Sequence, residues 1–180
     1  MDRKFHFTAP SKPMPVVFEQ VFAERPGGGV IPNPDYDIMP GTAVDESGKP
    51  IKAYRLTKAV GSGDGTIQIA KGSGIVSGDV IGHGKKAVAS TKVDSSHPDY
   101  DVVTVTMGVE IAVGTVLYQA KSASADSAVP IYQPAYVLGT PVYAGEGSQD
   151  ARLINGANLR KETAPISEEV VAMMKNISLV

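Results

Sequence analysis

Residues 100–118 read YDVVTVTMGVEIAVGTVLY. The first eight, Tyr100 to Met107, alternate and are rich in valine and threonine, which predicts a half-buried strand. The last eight, Ile111-Ala112-Val113-Gly114-Thr115-Val116-Leu117-Tyr118, follow a different rule. Apolar residues lead to a glycine, then a small polar residue, then a short apolar run. Glycine adopts backbone conformations that a bulky residue cannot. This segment therefore reads as a turn that lifts the chain from one short strand into the next.

The same step recurs. It appears as Ile38-Met39-Pro40-Gly41-Thr42-Ala43-Val44, as Ile75-Val76-Ser77-Gly78-Asp79-Val80-Ile81, and more loosely as Tyr136-Val137-Leu138-Gly139-Thr140-Pro141-Val142-Tyr143. The spacing is unequal, which argues against a solenoid of identical units. Further strands are expected at Thr66–Ala70, Lys86–Thr91, Gly114–Gln119 and Pro141–Ala144, with tight turns at Ser62–Gly65 and Ser47–Lys49. One helix is expected, over about 167–176. Ser167 can cap it, Glu168 and Glu169 suit the positive end of its dipole, and Val170, Met174 and Ile177 supply an apolar stripe. The predicted class is mostly β, a compact β-roll or β-clip-like barrel of short strands, with an extended N-terminal arm and one short C-terminal helix.

Composition agrees. Glycine and proline account for 32 of 180 residues, above the roughly 12% of an average chain but below the range of disordered low-complexity sequences. Hydrophobic residues at 42% can fill a core. Two regions follow, an arm over 1–35 and a β-rich domain over 36–180. Prolines 10, 13, 15, 26, 32 and 34 and the Gly27–Gly29 run bar the arm from central strands and long helices. Yet all four phenylalanines, Phe5, Phe7, Phe18 and Phe22, lie in the first 22 residues. Exposed apolar segments mark partner contacts, and aromatic residues dominate interfaces. These four are the candidate interface residues, whether the arm packs on its own domain, on a neighbour or on a larger surface.

Catalytic signatures are scarce. Without cysteine there is no disulfide, thiolate zinc site or cysteine nucleophile. His6, His83 and His97 lack metal-ligand spacing. The polar stretch Asp94–Asp101 lacks the glycine and the terminal glutamate of a calcium loop and reads as a turn. Gly82-His83-Gly84-Lys85-Lys86 has neither the earlier glycine nor the hydroxyl of a phosphate loop. No catalytic residue, metal or cofactor is therefore expected. A net charge of -2 disfavours bulk nucleic-acid binding. The chain carries no secretion signal over its first residues and no apolar run of the ~20 residues that span a bilayer, so no membrane partner is expected.

The chain resembles the head decoration and head fibre proteins of tailed bacteriophages. The Pro/Gly-rich arm before a cysteine-free β-domain carries part of the likeness, and the Ile38–Val44 and Ile111–Tyr118 steps carry more. The rest lies in Leu153-Ile154-Asn155-Gly156-Ala157-Asn158-Leu159-Arg160, which leads through Pro165 into Glu168–Ile177 and the final Ser178-Leu179-Val180. The resemblance implies a structural virion protein and no enzyme. It would bind the major capsid protein on the outer capsid surface, often as a homotrimer, and reside on the virion or in the host cytoplasm during assembly. The competing expectations are a β-clip-type module that binds carbohydrate or a small ligand through Tyr118, Tyr132, Tyr136 and Tyr143, and a β-clip-type nucleotide hydrolase.

Overall fold

The computed structural model describes residues 15–180. In chain order the strands are β1 (Phe18–Glu24), β2 (Gly29–Ile31), β3 (Ala43–Val44), β4 (Ala53–Arg55), β5 (Thr66–Ala70), β6 (Val80–His83) and β7 (Lys86–Ala89). There follow β8 (Lys92–Asp94), β9 (Tyr100–Thr104), β10 (Val116–Gln119), β11 (Tyr136–Leu138), β12 (Gln149–Ala151) and β13 (Leu153–Leu159). Helix α1 (Glu168–Val171) and strand β14 (Ile177–Leu179) complete the chain. The protein is mostly β, as its sequence predicts, and among the described residues its sheets run as linear strand orders with no closed barrel.

Four sheets are present among the described residues. The largest runs β1-β13-β11-β3, with β14 added parallel to β13, and a second runs β4-β10-β6-β7. The third is β5-β9-β8, and β2 pairs with β12 in a short ribbon. Alternation places side chains as expected on β5, where Ile67 and Ile69 are buried between more exposed neighbours. On β9 the same alternation turns Asp101 and Val103 inward. The Asp101 carboxylate is met by Lys71 Nζ at 2.6 Å.

The glycine steps organise these sheets. Gly41, Gly78 and Gly114 all have positive φ, at 87°, 93° and 82°. Each occupies the third position of a turn closed by a main-chain hydrogen bond, from Thr42 to Met39, Asp79 to Val76 and Thr115 to Ala112. That is the geometry of a type II turn. Each also makes the same exchange with a second strand. The Gly41 N–H donates to Leu138 O (2.7 Å), and Leu138 N–H donates back to Thr42 O (2.9 Å). Gly78 and Asp79 repeat it with Ser90, and Gly114 and Thr115 repeat it with Leu56. Gly139 breaks the rule: its φ is not positive, because the residues ahead of it already run extended as β11. Its partner Arg152 donates to the Thr140 hydroxyl rather than to main chain.

Three apolar clusters form the core. One gathers Tyr54, Leu56, Ile67, Ile81, Val103 and Leu117 between the second and third sheets. Another places Val137, Ile154, Leu159, Ile166 and Val170 between the largest sheet and α1. A smaller one holds Ile31, Ile38, Val44 and Leu138 beneath the β2–β12 ribbon.

Three expectations need correction. The helix is one turn long, not the span 167–176. Ser167 does cap it, its hydroxyl accepting from Val170 N–H at 3.3 Å. The chain then leaves the helix so that Asn176 O can accept from Ala157 N–H and β14 can join β13. Val170, Met174 and Ile177 still share one core cluster. Pro141–Ala144 forms no strand but a single bridge between Val142 and Ile38, because proline has no N–H for a ladder. Finally, the arm does not stand apart over its described part. Pro15 and Pro26 bracket β1 instead of interrupting it, and β1 pairs antiparallel along β13.

Candidate functional site

Strand β1 is the outermost strand of the largest sheet, so one of its edges carries no strand among the described residues. A strand in a two-layer fold normally buries every second residue. In β1 the four consecutive residues Glu19 to Phe22 are all exposed. Its two acids are held by arginines on or beside β13: Glu24 by Arg152 at 2.8 Å, and Glu19 by Arg160. Apart from Gln20, the exposed side chains left are apolar. Phe22 is 56% exposed and Val21 38% exposed, and Val16 is exposed just before the strand. The Phe22 ring packs over Gly156 of β13, where an added Cβ would stand 2.7 Å from it.

The four predicted interface residues therefore divide. Phe22 sits on this exposed edge. Phe18 turns inward and packs, half-buried, on the core around Leu159. Phe5 and Phe7 lie outside the described residues.

A second region surrounds a cavity of about 580 Å³ between the Ala112–Thr115 turn, α1 and the end of β14. Its apolar lining includes Val113, Val116, Ile166 and Leu179. Arg55 reaches into its wall from β4 and donates to Gly114 O (2.9 Å), Lys161 O (3.2 Å) and Ala164 O (2.8 Å). Burial lowers the pKa of this guanidinium, and Glu162 partly offsets the effect. On the opposite wall, Glu169 Oε1 accepts from Gly84 N–H at 2.6 Å and lies 3.4 Å from His83 Nδ1. Burial pushes the Glu169 carboxyl up, but hydrogen bonding from His83, Gly84 and the α1 N-terminus outweighs it and holds the group below its ordinary value. The Ser167 hydroxyl nearby is committed to capping α1.

The most connected polar cluster is internal. Asp79 Oδ2 accepts from Lys52 Nζ (3.1 Å), Tyr54 Oη (3.0 Å) and Val76 N–H (3.1 Å), and Oδ1 accepts from Gln119 Nε2 (3.2 Å). Lys52 Nζ also lies 5.6 Å from the centre of the Tyr36 ring. Burial first, then the charge of Asp79, pushes the Tyr54 phenol far above its ordinary range. All four of these donors come from the chain itself, and the partner lysine is buried. The cluster ties the Val76–Asp79 turn to β4 and β10 and serves structure.

The remaining candidates are also structural. In the Asp94–Asp101 stretch, Asp94 accepts from Ser96 N–H, and His97 stacks on Tyr100 with ring centres 3.7 Å apart. Among the described residues no group of three or more acids and histidines is placed to hold a metal ion. The four tyrosines proposed to line a ligand site differ in their surroundings. Tyr118 is buried and donates to Gly84 O, Tyr136 donates to Glu46, Tyr132 lies beneath Lys49, and Tyr143 is exposed. The sequence reading weighed His83 and Glu169 separately, did not single out Arg55, and did not group the three, because the contacts that join them to the cavity run between residues far apart in the chain.

No family model matches the chain, and no curated protein or solved structure is significantly similar to it.

Proposed function

We propose that this protein is a structural component of a phage virion that binds the outer surface of the assembled capsid as a homo-oligomer. The observation that carries the reading is the exposed edge of β1. It is a seven-residue strand with an open edge, exposed valine and phenylalanine side chains, and acids already neutralised from its own chain. An edge of this kind is ready to pair with or pack on another protein. Phe22, the last of the four phenylalanines, stands on this edge. The likeness of the steps and of the C-terminal region to head decoration and head fibre proteins supplies the class of partner.

The mechanism is binding thermodynamics. A protein that adheres to the closed shell and not to free subunits stabilises the shell by mass action. Repeated sites on the shell add avidity. The test is co-sedimentation with assembled phage capsid shells. Wild-type protein should pellet with the shells and raise their melting temperature. Phe22→Asp should pellet at least tenfold less while keeping its own melting temperature. Equal pelleting of the two proteins, or no pelleting of either, overturns the reading.

A further inference from the structure

We propose that the cavity between the Ala112–Thr115 turn and α1 receives Phe5-His6-Phe7 from a second copy of this chain, so that exchanged arms build the homo-oligomer. The inference rests on the proposed function for the existence of an oligomer, and it names how that oligomer is held.

Three observations lead there. First, the cavity suits the segment. Its volume of about 580 Å³ falls in the range of sites that enclose small molecules, and Val113, Val116, Ile166 and Leu179 give it an apolar lining. Phe5 and Phe7 are two residues apart, so an extended segment presents both rings on one side. Second, the charges are complementary. Glu162, Glu168 and Glu169 outnumber the fixed cations Arg55 and Lys161 around the cavity. Arg55 is committed to three carbonyls, and Lys161 pairs with Glu168. The arm brings Arg3 and Lys4 immediately before Phe5, with His6 between the rings.

Third, the point where the described chain begins favours exchange over self-docking. The Thr163 hydroxyl donates to Val16 O at 2.6 Å, and Arg160 N–H donates to Val17 O at 2.8 Å. Lys161 and Glu162, which lie between those two anchors, line the cavity. Each arm thus starts at the rim of its own cavity. Pro10, Pro13 and Pro15 punctuate the spacer from Phe7, and a proline-rich spacer extends at about 3.1 Å per residue. Eight residues of such a spacer can span roughly 25 Å, enough for Phe5 and Phe7 to reach past a cavity that begins beside residue 16 to that of a second copy.

The chain offers a clean probe, because its four phenylalanines are all in the first 22 residues. Full-length protein labelled with 4-fluorophenylalanine gives four ¹⁹F signals, assigned with Phe5→Leu and Phe7→Leu. Val113 is 61% exposed at the cavity rim, so Val113→Glu places a charge there without disturbing the core. Wild-type protein should be oligomeric by light scattering, with the Phe5 and Phe7 signals displaced from the unfolded-chain position. Val113→Glu should return both signals to that position, leave the Phe18 signal and the melting temperature unchanged, and lower the mass to that of a monomer. A monomeric wild-type protein overturns the proposal, even with displaced Phe5 and Phe7 signals, since that pattern means docking within one chain. An oligomer whose Phe5 and Phe7 signals ignore Val113→Glu overturns it too. Phe22→Asp is expected to leave the oligomer intact, so failure of capsid binding and failure of arm exchange are read separately.

Discussion

Replacing Asp79 with alanine removes one carboxylate and strands four donors. The Lys52 and Asp79 side chains are only 10% and 9% exposed, so water does not replace the lost partner. Breaking a buried ion pair by deleting one member costs about 3–5 kcal/mol, because the other charge is left uncompensated. The Tyr54 hydroxyl and the Gln119 amide lose their acceptor as well, at about 1–3 kcal/mol for a group left unsatisfied. These losses share one site and do not add fully, which gives a net cost of about 4 kcal/mol. For a chain of this size each kcal/mol lowers the melting temperature by roughly 2–4 °C, so the drop should be roughly 8–16 °C. Urea unfolding followed by far-ultraviolet circular dichroism measures the free energy, and a thermal scan measures the shift. Lys52→Met supplies the control. In the double variant no buried charge remains, and it should recover about 2 kcal/mol relative to Asp79→Ala alone. A cost below about 1 kcal/mol for Asp79→Ala, or no recovery in the double variant, would refute the view of this carboxylate as the tie between β4, β10 and the Val76–Asp79 turn.

Other perturbations test other parts of the molecule. Gly74→Ala should cost roughly 2–4 kcal/mol by chemical denaturation, since φ there is +66° and the new Cβ would lie 2.4 Å from the Tyr36 ring. Gly63→Ala, in open space without a positive φ, should be close to neutral in the same assay. Ser167→Ala should cost about 1 kcal/mol by removing the α1 cap, and Ser167→Asp should restore part of it. Glu169 is held below its ordinary value of 4.5 in the folded state, so its contribution is complete above about pH 4.5 and fades as pH falls through the lower folded value. Urea midpoints taken between pH 6 and pH 3 should therefore fall less steeply for Glu169→Gln than for wild type; parallel curves would contradict the assignment.

What could be read from the sequence was local, and what could not was assembled from a distance. Thr66–Ala70 is a strand with the expected bounds because alternation is written into adjacent residues. Gly41, Gly78 and Gly114 were legible as steps because a positive φ leaves a glycine in the sequence. Gly139 misled for the same reason, since a glycine is also used where backbone and side chains crowd, here against Arg152 and Ile154. The arm was read through its prolines, but none falls between Pro15 and Pro26, and that gap is where β1 forms. Lys52, Tyr54, Asp79 and Gln119 come together across separations of 25 to 40 residues, and no local pattern announces such a cluster. The cavity wall is likewise built from a turn, a hairpin and a helix start that are far apart in the chain. Of the predicted interface residues, Phe22 sits on the exposed edge because burial there depends on which neighbour β1 lacks, something its own sequence does not encode.

The three matching steps have an evolutionary consequence. Their defining contacts run from main chain to main chain, and the glycine is the one residue whose identity the backbone demands. Lineages that keep the glycine and the apolar character of the following strand, and Asp79 in the second step, can exchange most other side chains in the step without moving that strand. An architecture inherited in this way outlasts the residue identities by which kinship is usually recognised, and a shared ancestry between such chains survives longest in the order of their turns and the pairing of their strands.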